Sequence, residues 1–200
     1  MHDNRETIRN IKREFRLYMN GITSAQMRKM GMNYNIIFGI SIPHLKEIAA
    51  KFPKEKELAH DLWKENIRES KLLAIYLLPE EEYYTVADSW VTGCRYCENA
   101  DHLAHTILQR LPDATAKALE WIENETELTR YCGFQTLSHL FRQDKNLTQE
   151  QEKAFFNAVA REKTATATRA FTSYCDRDEE RFTRYSSMYS AGTQEDSGEE

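Results

Sequence analysis

The sequence LWKENIRESKLLAIYLL, residues 62–78, joins a Trp-bearing amphipathic segment to a second apolar segment through a short charged turn. The same order recurs at Trp90 and at Trp121, and in each case an Arg, Arg95 or Arg130, precedes the second apolar segment. Apolar residues three and four positions apart predict amphipathic helices. Helix pairs that recur along a chain are typical of a solenoid, in which each pair packs against the next.

The repeat is uneven, because 27 residues separate Trp63 from Trp90 and 31 separate Trp90 from Trp121. HEAT repeats span about 40–47 residues, and shorter degenerate units are tolerated since each unit contacts only its neighbours. Seven Gly and four Pro among 200 residues suit helices joined by short turns. We therefore predict an all-α fold: a HEAT-like helical-repeat solenoid, an α-α superhelix, with a concave groove. The three tryptophans are expected in its core.

Local signals mark several helix ends. Ser24 is interpreted as the N-cap of a short helix that ends at Met30. Thr148 and Gln151 have the spacing of a capping box. Fraying is expected after Arg184. The remaining predicted helices are 4–20, 43–52, 55–66, 68–78, 80–92, 97–110, 114–124, 127–142, 148–161 and 165–176.

Composition indicates one domain, residues 1–185, followed by an acidic tail, 186–200, that is expected to be disordered. The net charge is −5, but four acidic groups lie in the last ten residues, so the rest of the chain is close to neutral. No apolar stretch approaches the roughly 18 residues that a membrane span requires. The four cysteines fit no disulfide framework. We expect a monomeric, cytoplasmic protein with reduced thiols and no membrane contact.

A basic stripe runs along the first predicted helix, on the side largely opposite to its apolar residues. Such a stripe binds phosphate in some proteins, and in most it is a solvated face paired with nearby acids, here Glu6 and Glu14. Base rates favour the second interpretation. The stripe consists of Arg5, Arg9, Lys12, Arg13 and Arg16.

The segment NYNIIFGISIPHLKEIA, residues 33–49, resembles the N-terminal motif of the bacterial DNA alkylation repair family, a Phe/Leu-Gly-Val/Ile-x-x-Pro-x-x-Arg/Lys stretch. The likeness continues through LAHDLW, residues 58–63, and through Glu69-x-x-Leu72-Leu73-Ala74. It can be followed from about residue 5 to residue 180. The chain is identified on these residues as a divergent member of that family.

The resemblance implies a HEAT-like solenoid whose concave, positively charged groove binds duplex DNA. It also implies a monofunctional DNA glycosylase that releases N3- and N7-alkylated purines, with no metal or nucleotide cofactor. An alkylated purine is cationic and leaves easily, so a carboxylate near the sugar and an aromatic wall suffice to stabilise the oxocarbenium character of the transition state. Asp101 matches the family's catalytic carboxylate.

The sequence departs from the family pattern at other site positions. Cys97 stands where the family has the aromatic residue one turn before the carboxylate. Ser173 and Asp176 fall on the family's later Trp-Ala-Leu-Arg signature. The neighbouring Tyr96 and Tyr174 are the remaining candidates for contact with a base or sugar. These departures predict a DNA-binding protein with a degenerate active site, in which excision is weakened or absent.

Four arginines open or enter the second helix of successive units, so stacking of the units would align them on the concave face. One interpretation is a row of phosphate contacts on duplex DNA. The other is salt bridges between adjacent repeats, and the residues do not favour either. The four are Arg68, Arg95, Arg130 and Arg169.

Two alternatives complete the predictions. The altered signature also suits a non-catalytic HEAT-like scaffold that binds a protein or RNA partner. Cys94, Cys97 and His102 have the spacing of the first three ligands of a zinc knuckle, but Ile107 stands where the fourth ligand would follow. No metal site is therefore expected.

Overall fold

The structure is a computed structural model that describes residues 4–176 and 178–190. Within these residues it contains twelve α-helices, two short 3-10 helices and no strand, which confirms the predicted all-α class. The 3-10 helices are Glu80–Glu82 and Leu108–Arg110. The α-helices are α1 (Arg5–Leu17), α2 (Gly21–Lys29), α3 (Ile42–Ala49), α4 (Lys56–Lys64), α5 (Arg68–Leu77), α6 (Tyr83–Thr92), α7 (Cys97–Thr106), α8 (Ala114–Ile122), α9 (Glu127–Arg142), α10 (Gln149–Glu162), α11 (Ala165–Cys175) and α12 (Glu179–Ser190).

The helices group into two compact units, which we call unit 1 (residues 1–111) and unit 2 (residues 112–200). Each unit is described separately below. The sequence analysis predicted one domain over residues 1–185, and that assignment stays a prediction. No helix among the described residues is long and apolar enough to cross a membrane.

In unit 1, α5 packs against α3, α4 and α7. The rings of Trp63 and Trp90 stack with centroids 4.4 Å apart and planes 7° from parallel. Both rings are buried, and so is Trp121 in unit 2, as predicted for the core of a repeat protein. Lys71 is buried beside them: its Nζ lies 4.3 Å from the centroid of the Trp63 ring and donates a hydrogen bond to the Trp63 carbonyl.

The family-like segment 33–41 is extended and lies along the first turn of α5. The Arg68 amide donates to the Ile36 carbonyl at 3.3 Å, and the Asn35 amide donates to the Asn66 carbonyl at 3.0 Å. Gly39 has a φ of +75°, and a Cβ at this position would lie 2.3 Å from the Asn20 carbonyl oxygen. Only glycine therefore fits where the segment passes the start of α2.

In unit 2, α9 packs against α8 and α11. Gly133 lies inside α9, where a Cβ would be 2.7 Å from Cγ2 of Ile122 and 2.8 Å from the Ala118 carbonyl oxygen. The absence of a side chain lets the two helices approach closely. A cluster of buried rings fills the other side of the unit, with Phe141, Phe155 and Tyr174 in mutual contact.

Of the three local signals for helix ends, one agrees with the structure and two differ. The capping box at Thr148 and Gln151 is confirmed, with both reciprocal hydrogen bonds present. The prediction for Ser24 is wrong, because Asn20 caps α2 by accepting from the Thr23 amide, while the Ser24 hydroxyl donates to the Ile37 carbonyl. Helix α12 continues to Ser190, past the expected fraying point at Arg184. The rest of the predicted tail, 191–200, lies outside the described residues.

Candidate nucleic-acid interface

The candidate catalytic residue Asp101 lies in the middle of α7 and is partly exposed. Cys97 begins this helix and is exposed, and four residues place its side chain on the same face as Asp101, one turn earlier. The thiol offers no aromatic wall beside the carboxylate. Tyr96 is the N-cap residue of α7 and its hydroxyl accepts a hydrogen bond from the Asn33 amide at 2.5 Å.

Arg68 is buried and does not reach the surface, so it must be removed from the predicted row of phosphate contacts. Its side chain is 2% exposed. Nε and Nη2 donate to the Glu98 carboxylate at 2.8 and 2.6 Å, and Nη1 donates to Glu69 at 2.8 Å. Although burial opposes the charge, the two carboxylates raise the pKa of the guanidinium above its usual value.

Glu69 in turn holds segment 33–41. It is fully buried, and its carboxylate accepts from the backbone amides of Phe38, Gly39 and Ile40. Nη1 of Arg68 also donates a hydrogen bond to the Ile40 carbonyl, at 2.9 Å. Arg68 and Glu69 therefore hold segment 33–41 against the start of α5. We call Arg68, Glu69 and Glu98 the buried ionic cluster.

The other predicted residue of unit 1, Arg95, is exposed and its guanidinium donates a hydrogen bond to the Asn66 side chain. Tyr96 is partly exposed, and its ring contacts Tyr34 with centroids 4.9 Å apart. The Tyr34 hydroxyl donates to Asn99 at 2.8 Å. Arg95 and Tyr96 thus lie at the surface near the start of α7, where a nucleic acid could reach them.

In unit 2, Tyr174 is 1% exposed and must also be removed from the candidates, because a buried ring cannot contact a base. Its hydroxyl donates to Glu152 at 2.7 Å, and burial and this carboxylate raise its pKa. Arg130 bonds to Glu162 at 2.7 Å and to two carbonyls of the turn before α9, which favours the salt-bridge interpretation for this residue. Arg169 is exposed on α11.

The structure adds a cavity of about 400 Å³ that lies against α3, α5 and α7 of unit 1. Its lining includes Lys46, Lys54, Arg110 and His105 and no carboxylate, and Lys54 also lines a second pocket that contains four glutamates. We call the first of these the basic cavity. Arg110 is more than half exposed and pairs with the equally exposed Glu80 at 3.1 Å. An exposed pair of this kind contributes little and exchanges readily for another anion.

The lining of the basic cavity also includes the rings of Phe52 and Tyr76. The Lys46 ammonium lies 5.9 Å from the centroid of the Tyr76 ring, and the Tyr76 hydroxyl is 2.9 Å from Nδ1 of His102. Burial raises the pKa of Tyr76 to about 12 and lowers the pKa of His102. The lowered pKa favours the neutral form of His102, which shares a hydrogen bond with the Tyr76 hydroxyl through Nδ1.

None of the three cations of the basic cavity was predicted from the sequence. Lys46 could have been predicted, because it occupies the Arg/Lys position of the Pro-x-x-Arg/Lys motif. Pro43 of this motif lies in the first turn of α3. Lys54 lies in the connection between α3 and α4, and Arg110 ends the 3-10 helix Leu108–Arg110. Neither residue belongs to a recognised motif, and only packing brings them to Lys46. Among the described residues, no group of three or more His, Cys, Asp or Glu side chains could hold a metal ion.

Comparison with known proteins identifies the family and the fold of the chain. The sequence pattern of the family described as DNA alkylation repair enzyme matches residues 11–164. One similar solved structure is described as "A new family of proteins related to the HEAT-like repeat DNA glycosylases with affinity for branched DNA structures". It has a TM-score of 0.64 and 17% sequence identity, over 94% of this chain and 78% of that chain, which confirms the predicted HEAT-like fold. No curated protein matches the chain. With three quarters of its length matched, the chain belongs to the DNA alkylation repair enzyme family.

Proposed function

We propose that the protein binds duplex DNA, linear or as an arm of a branched structure, through the face of unit 1 that contains the basic cavity. The observation that carries the proposal is a cavity with three cationic side chains and no carboxylate in its lining. Membership of the DNA alkylation repair enzyme family supports a DNA ligand. The affinity of the similar solved protein for branched DNA supports it as well.

The cationic lining of this cavity favours a phosphate group as its ligand. Lys46 and Lys54 are exposed lysines, whose flexible ammonium groups follow a phosphodiester without requiring one fixed geometry. Contacts to phosphate supply most of the affinity of non-specific DNA binding and position the protein on the duplex. The exposed Arg95 lies near the start of α7 and is a further candidate contact.

Base excision at Asp101 is the second candidate function, and one observation favours it. Asp101 and His105 are one turn apart on α7, so the carboxylate lies next to the edge of the basic cavity. A DNA strand held by the cavity would bring a sugar close to this carboxylate, which could stabilise positive charge on the sugar. Since Cys97 replaces the aromatic wall, excision of N3- or N7-alkylated purines is expected to be slow.

One binding experiment tests the interface. The full chain is titrated with a labelled duplex at two or more salt concentrations, in parallel with the Lys46→Ala/Lys54→Ala variant and a Lys145→Ala/Lys153→Ala control. The control removes the same charge from exposed positions of unit 2. We expect the Lys46/Lys54 variant to bind about tenfold more weakly, with a salt slope smaller by about two, and the control to match the wild type. Equal affinity and slope for both variants would exclude this face.

The same tubes test excision. A duplex with one N7-methylguanine is compared with the unmodified duplex, and released base is measured. Base release that is lost in Asp101→Asn would establish a glycosylase, whereas binding without release would establish a DNA-binding relative that lacks catalysis. Absence of binding at low salt would refute the proposal and favour the scaffold that binds a protein or RNA partner.

A further inference from the structure

Helix α1 carries three exposed arginines on one face. Arg9, Arg13 and Arg16 fall within about 60° of one another around the helix axis, at 100° per residue. Ile11 and Phe15, which are fully buried, lie on the opposite side. The three side chains therefore point away from the core of unit 1, and we call them the α1 stripe.

The carboxylates that were expected to neutralise the α1 stripe do not do so. Of the two expected carboxylates, Glu14 pairs with Lys51 at 2.7 Å, and Glu6 forms no ion pair with the three arginines among the described residues. In the part of the chain that the structure describes, no ion pair involves Arg9, Arg13 or Arg16, and the hydrogen bond of Arg13 is to the neutral side chain of Asn10. Like charges one turn apart repel each other, so the stripe does not serve the stability of the free protein.

The α1 stripe is long enough to contact more than one phosphate of a nucleic-acid strand. Arg9 and Arg16 are about 10 Å apart along the helix axis at 1.5 Å per residue. Each of the three exposed guanidinium groups can contact a phosphate of a strand that runs along the helix. Guanidinium groups also bind phosphate oxygens in a bidentate geometry.

The α1 stripe and the basic cavity lie on different sides of α3. His44 contacts Tyr18, which follows α1, with ring centroids 4.8 Å apart. Lys46 instead contacts Tyr76 in the wall of the basic cavity. Positions 44 and 46 are about 200° apart around α3. Helix α3 therefore separates the helix that bears the stripe from the cavity.

We propose that the α1 stripe is a second phosphate-binding surface, which holds a second duplex arm while the basic cavity holds the first. The inference rests on the proposed function, because it assigns a branched DNA ligand to the same protein. Two surfaces on different sides of one unit bind two arms at once in a branched substrate. A linear duplex engages one surface at a time, so the second contact raises the affinity only for the branched form.

The test compares a four-way junction with a linear duplex of the same total length. The variant Arg9→Gln/Arg13→Gln/Arg16→Gln is measured beside Arg9→Lys/Arg13→Lys/Arg16→Lys and a control with Lys145→Gln/Lys153→Gln/Lys163→Gln. The control removes three charges from exposed positions of unit 2. Thermal unfolding by circular dichroism verifies that every variant is folded.

We expect the Gln variant to lose about tenfold in affinity for the junction and less than twofold for the linear duplex, with a junction salt slope smaller by about two to three. The Lys variant should keep most of the preference, and the control should keep all of it. A wild type that binds both substrates equally, or a Gln variant that keeps the preference, would overturn this inference alone. Weaker binding of both substrates by Lys46→Ala/Lys54→Ala is the result expected from the proposed function, and a wild type that binds neither substrate would overturn both proposals.

Discussion

The two terminal helices carry arginines at similar spacing, and these arginines have different partners. On α12, Arg184 bonds to Glu152 of α10 at 2.8 and 3.0 Å, and Arg181 donates to the Tyr174 carbonyl at 2.7 Å. On α1, the arginines of the stripe form no ion pair with any described carboxylate. The difference arises because a neighbouring helix places a carboxylate within ion-pair distance of the arginine in one case and not in the other. An arginine that meets one ties two helices together, and an arginine that meets none is available to an external anion.

The largest effect is expected where pairing is most complete, in the buried ionic cluster. Replacing Arg68 with Met leaves Glu69 buried without its cation. Loss of one partner from a buried ion pair costs about 3–5 kcal/mol in the free energy of unfolding. Urea unfolding of Arg68→Met measures the cost, with Arg95→Met as the exposed control at about 0.5 kcal/mol or less. Equal stability of Arg68→Met and the wild type would mean that the cluster does not stabilise unit 1.

The second-largest loss of stability is expected at Gly39, where segment 33–41 passes the start of α2. Gly39→Ala places a Cβ against the Asn20 carbonyl at a φ that L-residues rarely adopt. We expect a loss of about 2–4 kcal/mol in unfolding free energy, because strain and a backbone clash add. Gly21→Ala is the matched control, since a Cβ there meets no atom within 4 Å. A destabilisation of equal size in both variants would contradict the role given to Gly39.

The attachment of α12 depends on pH. Hydrogen bonds from Arg184 and Tyr174 lower the pKa of Glu152, so the folded protein holds the ionised form more tightly than the unfolded chain does. This contribution is present above the unfolded pKa of about 4.3 and is lost as the pH falls through the lower folded pKa. We expect Glu152→Gln to cost about 1–2 kcal/mol at pH 7.

The difference between Glu152→Gln and the wild type should shrink as the pH falls below about 4. Urea unfolding at pH 7, 5 and 3 measures it. Glu150→Gln removes an exposed carboxylate from the same helix turn and serves as the control. A difference that stays constant from pH 7 to pH 3 would contradict the assignment to Glu152.

The smallest effect is expected from the α1 stripe itself. Replacing Arg9, Arg13 and Arg16 with Gln should change the free energy of unfolding by less than about 0.5 kcal/mol, because exposed side chains that form no ion pair contribute little. Relief of repulsion between like charges makes a slight stabilisation the expected sign. Thermal and urea unfolding measure the change. A clear destabilisation would show that the stripe has a structural role, like the arginines of α12.

Much of the fold was predictable because its signals are local. The apolar periodicity around Trp63, Trp90 and Trp121 predicted the helix pairs, and the capping box at Thr148 marked the start of α10 correctly. The motif at 33–49 led to the family. Ser24 was misread since the competing cap, Asn20, is equally suited in sequence, and the Ser24 hydroxyl finds its acceptor 13 residues away.

The candidate site was less predictable, because its residues are defined by partners that are distant in sequence. In the sequence, Arg68 precedes the second apolar segment of its repeat, as Arg95 and Arg130 do. One of the two carboxylates that pair with it is Glu98, 30 residues later. Lys54 and Arg110 carry no pattern, and they meet Lys46 only when α3, α5 and α7 pack together.

Short-range periodicity and a contiguous motif were enough to assign the helical class, the family and the burial of the three tryptophans. Which cations are paired and which remain for a ligand became evident only from the packed helices. The state of a charge depends on desolvation and on carboxylates within a few ångströms, and packing alone brings those groups together.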